Sequence, residues 1–241
     1  MEARRAPGSI HACLELHIEQ GGTLGQAGIP IGVVEGIVAI DRYEAIITGT
    51  SNHAGTTPMP LRRDALVAAS RLVLAVRDAV MAEPGRQVGT VGQLSVTPNA
   101  PNVIPGEVRH TIELRDLSEE VIARLAARIR ERAADIARET GTAIVITPTS
   151  HHAAALAHPE IQHAIEAAAD GLGFAHRRLP SGAGHDAQMM ARIGPMGMIF
   201  VPSIGGISHS PRERTRWEDC AGGASVLLET VLAVDDATLR A

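Results

Sequence analysis

Lysine is absent from this chain of 241 residues, and all 22 basic positions are arginine. That removes a lysine nucleophile, a Schiff base and a phosphate-binding loop of the usual kind. Aromatic residues are almost as scarce, at 2%. The core must therefore come from Ala, Val, Leu and Ile, and a base-stacking platform for single-stranded nucleic acid has little to build on. The net charge of -5 points the same way, because a phosphate backbone is bound by clustered cations and these arginines are dispersed among acids. No nucleic-acid partner is expected. Long apolar runs are missing too: the most hydrophobic helix candidate, near Leu66 to Met81, is interrupted by Arg71, Arg77 and Asp78, so no membrane partner is expected. The two cysteines, Cys13 and Cys220, form no C-x-x-C and read as small apolar residues of a cytoplasmic protein. Ser181 and Ser208 lack the G-x-S-x-G elbow of a serine hydrolase.

What is present is an ordinary globular composition, 45% hydrophobic and 20% charged. From Ile31 to Thr48, β-branched runs broken at Gly36 and at Asp41-Arg42 predict strands joined by a tight turn. Leu66, Ala69, Leu72, Val73, Val76 and Val80 then fall at helical spacing behind Asp64. "QVGTVGQLSV" and "EVRHTIEL" read as strands linked by the proline-rich "TPNAPNVIPG". A second helix follows, capped by Ser118, with Val121, Ile122, Leu125, Ile129 and Ile136 as its buried stripe and Gly141 as its stop before the strand "AIVIT". The order strand, helix, strand, strand, helix, strand is a ferredoxin-like βαββαβ block. We assign it residues 45–151. The flanking segments, 1–44 and 152–241, carry helix candidates at Pro159–Gly171, Ala187–Ile193 and Gly222–Asp235 and the strand "MGMIFV", and read as one α/β layer into which the α+β block is inserted.

Of the 11 histidines, four stand beside glycine: His17 in "HIEQG", His53 in "SNHAGTTP", His185 in "SGAGHDA" and His209 in "GGISHSP". In "ELHIEQGG" the apolar Leu14, Leu16 and Ile18 alternate with Glu15, His17 and Glu19, so one strand face carries two carboxylates and an imidazole. If Gly182–Gly184 and Gly205–Gly206 end strands of one sheet, their histidines gather at its carboxyl edge, where α/β folds place ligands. Imidazoles with nearby carboxylates suit hydrolytic metal chemistry. The residues alone leave that reading open beside one of isolated structural histidines.

Five motifs in the same order, "ELHIEQGG", "SNHAGTTPMPLRRDA", "PNAPNVIPGEVRHTIELRD", "SGAGHDA" and "GGISHSPRE", resemble the amidase branch of the M20 metallopeptidase family. That branch comprises N-carbamoyl-L-amino-acid hydrolases, allantoate amidohydrolases and β-ureidopropionases. The resemblance implies a zinc-aminopeptidase-like α/β catalytic domain interrupted by a ferredoxin-like lid and dimerisation domain. It implies that His17 and His209 are ligands in a site for two divalent metal ions, Zn, Mn, Co or Ni. It makes His53 a catalytic hydrogen-bond donor to the oxyanion, reaching the active site of a partner subunit in a homodimer. Gln20, Asn102, Arg115 and His185 match substrate-contacting positions, with Arg115 taking the carboxylate of a small-molecule substrate in a guanidinium fork. The bland alternative for Arg115 is an ion pair with Glu113, which stands where the family usually has Asp, or with Asp116. Glu213 is expected to orient the His209 loop rather than touch metal.

In family members a further metal-binding His, a bridging Asp and a Glu pair precede the first of these motifs, and no H-x-D or Glu-Glu stands ahead of Glu15 here. The chain therefore resembles the carboxyl-terminal part of such an enzyme, with metal held weakly or not at all by this chain alone and a missing amino-terminal half as a candidate partner. The alternatives to an amidohydrolase are a non-catalytic dimerising or binding fragment, and an M20 aminopeptidase or acyl-amino-acid deacylase.

Overall fold

A computed structural model describes residues 5–235 and Leu239. The chain folds into two compact units, one running from Ala39 to Ala153 and the other combining the residues up to Val38 with those from Ala154 on. In chain order the elements are β1 (Cys13–Ile18), α1 (Thr23–Ala27), β2 (Ile31–Ile37), β3 (Ala39–Thr48), α2 (Ala65–Ala82), β4 (Val88–Thr90) and β5 (Leu94–Thr97). They continue with β6 (Glu107–Asp116), α3 (Glu119–Thr140), β7 (Ala143–His152), β8 (Ala155–Leu156), α4 (Pro159–Gly171), β9 (His176–Ser181), α5 (Asp186–Met190), β10 (Met196–Val201) and α6 (Trp217–Asp235).

In the discontinuous unit the sheet runs β1-β10-β2-β8, with β9 also paired to β2. All six residues of β10 are buried, which is why "MGMIFV" reads as an unbroken apolar run and not as an alternation. Residues of α4 and α6 pack with Leu14, Leu16 and Ile18 of β1 and with Ile199 and Val201 of β10. A second cluster, including Leu24, Ala187, Met196, Met198 and Phe200 with Cys13 at its margin, forms with α1 and α5. The odd-numbered residues of β1 thus belong to the α1 and α5 side, and its polar face is covered. Helix α6 begins at Trp217, five residues ahead of the expected Gly222. Its internal glycines are packing positions, since a Cβ on Gly223 would sit 2.6 Å from Val201 and 2.8 Å from Leu16.

In the continuous unit the antiparallel sheet runs β4-β6-β3-β7, and β5 pairs with β6 beyond β4. Helices α2 and α3 each cross between parallel strands that flank a third, the interleaved pattern of a split βαβ domain. Asp64 caps α2 by accepting from the Leu66 and Val67 amides, and Ser118 caps α3 through Val121. The buried faces of the helices, with Leu72 and Val76 on α2 and Leu125, Ile129 and Ile136 on α3, close over Ala45, Ile47, Val108, Ile112 and Leu114. His110, 2% exposed, shares that apolar layer with neither ring nitrogen hydrogen-bonded.

Two local expectations are corrected. Asp41-Arg42 is not a turn but lies inside β3, where Arg42 faces Glu113 across the ladder at 2.6 Å, so the charge pair satisfies an exposed sheet face. "QVGTVGQLSV" is two short strands on the same partner, because the chain leaves the β6 ladder between Thr90 and Leu94 and rejoins it.

Candidate functional site

In the discontinuous unit, the polar face of β1 meets two helix starts. Glu15 Oε2 accepts the Ala187 amide at the first turn of α5 at 3.0 Å, and Glu19 accepts the Thr23 and Leu24 amides of α1 at 2.8 and 2.9 Å. Both carboxylates satisfy amides that a helix leaves unpaired at its start. Between them, His17 donates from Nδ1 to the Ile18 carbonyl at 2.8 Å, which leaves Nε2 as a bare lone pair.

His185 packs edge-on against His17, with ring centroids 4.6 Å apart, and both rings lie near Phe200. Its side chain is 2% exposed. Burial, then the neighbouring His17 imidazole, holds its pKa below the usual histidine value, so the ring is neutral at pH 7. The tautomer follows from Ser181. That hydroxyl donates to the Ala183 carbonyl and accepts the Ala183 amide, so its contact with His185 Nε2 at 2.7 Å is a donation from the ring. His185 Nδ1 is then bare and lies 3.6 Å from Glu15 Oε1.

Glu15, His17 and His185 form the one group among the described residues whose ligand atoms all lie within 4.8 Å of one another. Each also makes a hydrogen bond that fixes its orientation, and one ligand atom of each remains within 4.8 Å of the other two. This donor set fits a divalent cation. His185 does not arrive from the carboxyl edge shared by β1 and β10, however. β9 runs with β2, and β2 runs against β10, so β9 leaves the sheet at the opposite edge, and the loop after Ser181 brings His185, the residue before α5, back beside His17. The expectation that both glycine-rich segments leave the same edge is corrected accordingly.

His209 lies outside that group. It follows β10 in a left-handed conformation, φ 54°, and its amide is accepted by Glu213 at 2.9 Å. The Ser208 hydroxyl, then the His209 amide, hold the Glu213 carboxyl below the usual carboxylate range, with the His209 and His17 imidazoles contributing. Gln20, also left-handed at φ 57°, places its amide nitrogen 3.2 Å from Ser208 Oγ and 3.5 Å from His209 Nε2. Gln20, His209 and Glu213 are thus brought together, three residues beyond His17.

In the continuous unit, His53 and Asn102 are neighbours. An isolated antiparallel bridge joins His53 to Val103, with the Ala54 amide on the Asn102 carbonyl at 2.9 Å and the Ile104 amide on the Asn52 carbonyl at 2.8 Å. His53 Nδ1 accepts the Gly55 and Thr56 amides at 3.0 and 3.2 Å. Backbone amides only donate, so the neutral ring carries its proton on Nε2 and offers a donor to its exposed side. Arg115 donates to Glu113, with its Nη2 at 2.7 Å, while Arg42 takes the other oxygen of the same carboxylate. The ion pair left open by the sequence is therefore formed, and it orients the Arg115 guanidinium. Two residues gained roles that the sequence did not assign: Glu15, whose only signal was its place on the same strand face as His17, and Ser181, which opens "SGAGHDA" but was weighed only as a nucleophile.

A family model for peptidase family M20/M25/M40 matches residues 2–233. The chain belongs to that family. An N-carbamoyl-L-amino acid amidohydrolase of Geobacillus stearothermophilus is 44% identical over 230 residues, covering 95% of this chain and 56% of that protein. A probable allantoate deiminase of Oryza sativa subsp. japonica is 37% identical over 271 residues, covering 100% of this chain and 55% of its own length. A solved structure of a putative amidohydrolase/peptidase from Burkholderia cenocepacia superposes with a TM-score of 0.91 at 40% identity, covering 97% of this chain and 56% of that one. This M20 chain spans about half the length of the relatives it matches. Its mixed α/β architecture is that of M20 amidases. Among the described residues no helix is long and apolar enough to cross a membrane.

Proposed function

We propose that this M20 chain is part of a metal-dependent amidohydrolase that cleaves a C–N bond in a linear ureido compound, an N-carbamoyl-L-amino acid or allantoate. The observation that carries the proposal is the Glu15, His17 and His185 donor set, three lone pairs held by hydrogen bonds behind them. His17 and His209 would hold the cations, with Glu15 and His185 beside His17. A divalent ion, when bound, supplies Lewis acidity and a water acidic enough to attack near neutral pH.

The remaining roles fall to this chain's own side chains. His53, protonated on Nε2, donates to the oxygen on which charge develops. Arg115, aimed by Glu113, receives the substrate carboxylate, and Gln20 and Asn102 add hydrogen bonds. Glu213 holds the His209 backbone. The working protein is a cytoplasmic homodimer paired through the continuous unit, which acts as its lid. The separate thiols of Cys13 and Cys220 and the exposed, one-sided edge of β7 support that reading.

The test supplies the chain with the amino-terminal half of a related enzyme and with Zn²⁺, Mn²⁺, Co²⁺ or Ni²⁺, and follows ammonia release. Hydrolysis of an N-carbamoyl-L-amino acid or allantoate, lost on chelation, is the expected result. A correctly assembled complex that turns over neither compound overturns the proposal.

A further inference from the structure

The His53 turn is held from behind by a residue to which nothing above gives a role. Segment 50–63 is closed at its base, where the Thr50 amide meets the Arg63 carbonyl at 2.8 Å. Inside it, the Arg62 guanidinium forks across the turn. Nε donates to the Thr57 carbonyl at 3.0 Å, and Nη2 donates to the Ala54 carbonyl. Thr57 ties back to the His53 carbonyl through its amide at 3.2 Å and its hydroxyl at 2.8 Å. The two carbonyls that Arg62 grips therefore bracket Gly55 and Thr56, whose amides cap His53 Nδ1. Gly55 suits the turn as well, because a Cβ there would stand 3.2 Å from His53 Cε1, and the ring would have to shift by a few tenths of an ångström.

We infer that Arg62 is a positioning residue for His53: by bridging the Ala54 and Thr57 carbonyls it holds the Gly55 and Thr56 amides on Nδ1 and so fixes the proton on Nε2. The inference rests on the proposed donor role of His53 for its importance, but not for its test. A guanidinium spans two carbonyls in one plane, whereas an ammonium is a point donor, so lysine is not an equivalent at this position. With the fork removed, the turn loses the brace between its two ends and Nδ1 its paired donors. The ring is then free to sample both tautomers and to rotate away from the direction it now presents.

The experiment is NMR on the intact chain, labelled with ¹⁵N in histidine rings and backbone. It compares wild type with Arg62→Met and with Arg62→Lys, which keeps the charge and stem. At a pH where the ring is neutral, wild type is expected to show His53 as the Nε2–H tautomer alone, with slow amide exchange at Gly55 and Thr56. Both variants are expected to show mixed tautomers and at least tenfold faster exchange at those two amides. The Ile104 amide, across the bridge, keeps its protection and reports that the unit is folded. Retention of the single tautomer and of both protected amides in a folded variant overturns the inference. In the assembled enzyme the same variants should lower kcat with little change in KM. An assembled wild type that shows no hydrolysis would defeat the functional proposal while leaving the tautomer result to decide this one.

Discussion

The two units present their chemistry in opposite ways. In the discontinuous unit the His17 and His185 rings lie against each other near Phe200, and their ligand atoms stand within 4.8 Å of each other and of a Glu15 oxygen. In the continuous unit His53 is exposed, braced by backbone amides on Nδ1 with Nε2 left as its donor, and the partly exposed Arg115 is oriented by the Glu113 carboxylate. The contrast follows from what each must bind. Lone pairs attract a cation best where water competes least, so they gain from burial. Donors for an incoming anion must be reachable, so they gain from orientation without burial.

Substitutions that strip one unit at a time can break this comparison. The largest effect is expected from His53→Ala, which should lower kcat of an assembled enzyme by about a hundred- to a thousandfold, the usual loss for one oxyanion donor. Cation uptake by the chain, read by calorimetry, should not change. Glu15→Gln should do the reverse, weakening divalent-cation affinity by about ten- to a hundredfold, as expected when a group that orients or completes a metal site is altered. An unchanged affinity in that variant would remove Glu15 from the site.

A third test concerns stability of the continuous unit. Burial of His110 in an apolar layer lowers its pKa below the ordinary value of 6.5, and the adjacent Thr111 backbone offsets only part of that. Across the ladders it faces Ala45 on β3 and Leu94 on β5. Below pH 6.5 the unfolded chain therefore binds a proton that the folded one resists. Stability should fall as pH drops, by up to about 1.4 kcal/mol per pH unit, and be fully retained above 6.5. His110→Leu should flatten that part of the denaturation profile. Smallest is Ser118→Ala, expected to cost about 1 kcal/mol through the lost α3 cap, measurable by denaturant titration.

Much of this was legible where the signal is local. The spans of α2, α3 and α4 follow from apolar spacing and from caps at Asp64 and Ser118, because those interactions close within a turn of helix. His17, His53, His185 and His209 stood out beside glycine for the same reason. Glu15 did not reveal its partner, because a strand's charged face reads alike whether it meets solvent or the start of a helix 172 residues away. Nor does a strand's sequence carry its direction, so β9 could be assumed to run with β10. The break at Asp41-Arg42 was misjudged because the partner of Arg42 is 71 residues distant.

Scarcity of aromatic residues has one practical consequence. The sole tyrosine, Tyr43, is buried in the continuous unit, its hydroxyl 3.0 Å from Asp41 and its ring 5.0 Å beneath the Arg130 guanidinium, while the sole tryptophan, Trp217, is 85% exposed on the other unit. Each half of the molecule thus carries its own optical reporter. Burial and the Asp41 contact push the phenol ionisation upward, so alkaline absorbance would register loosening around Tyr43, and indole quenching by iodide would sample the start of α6 independently.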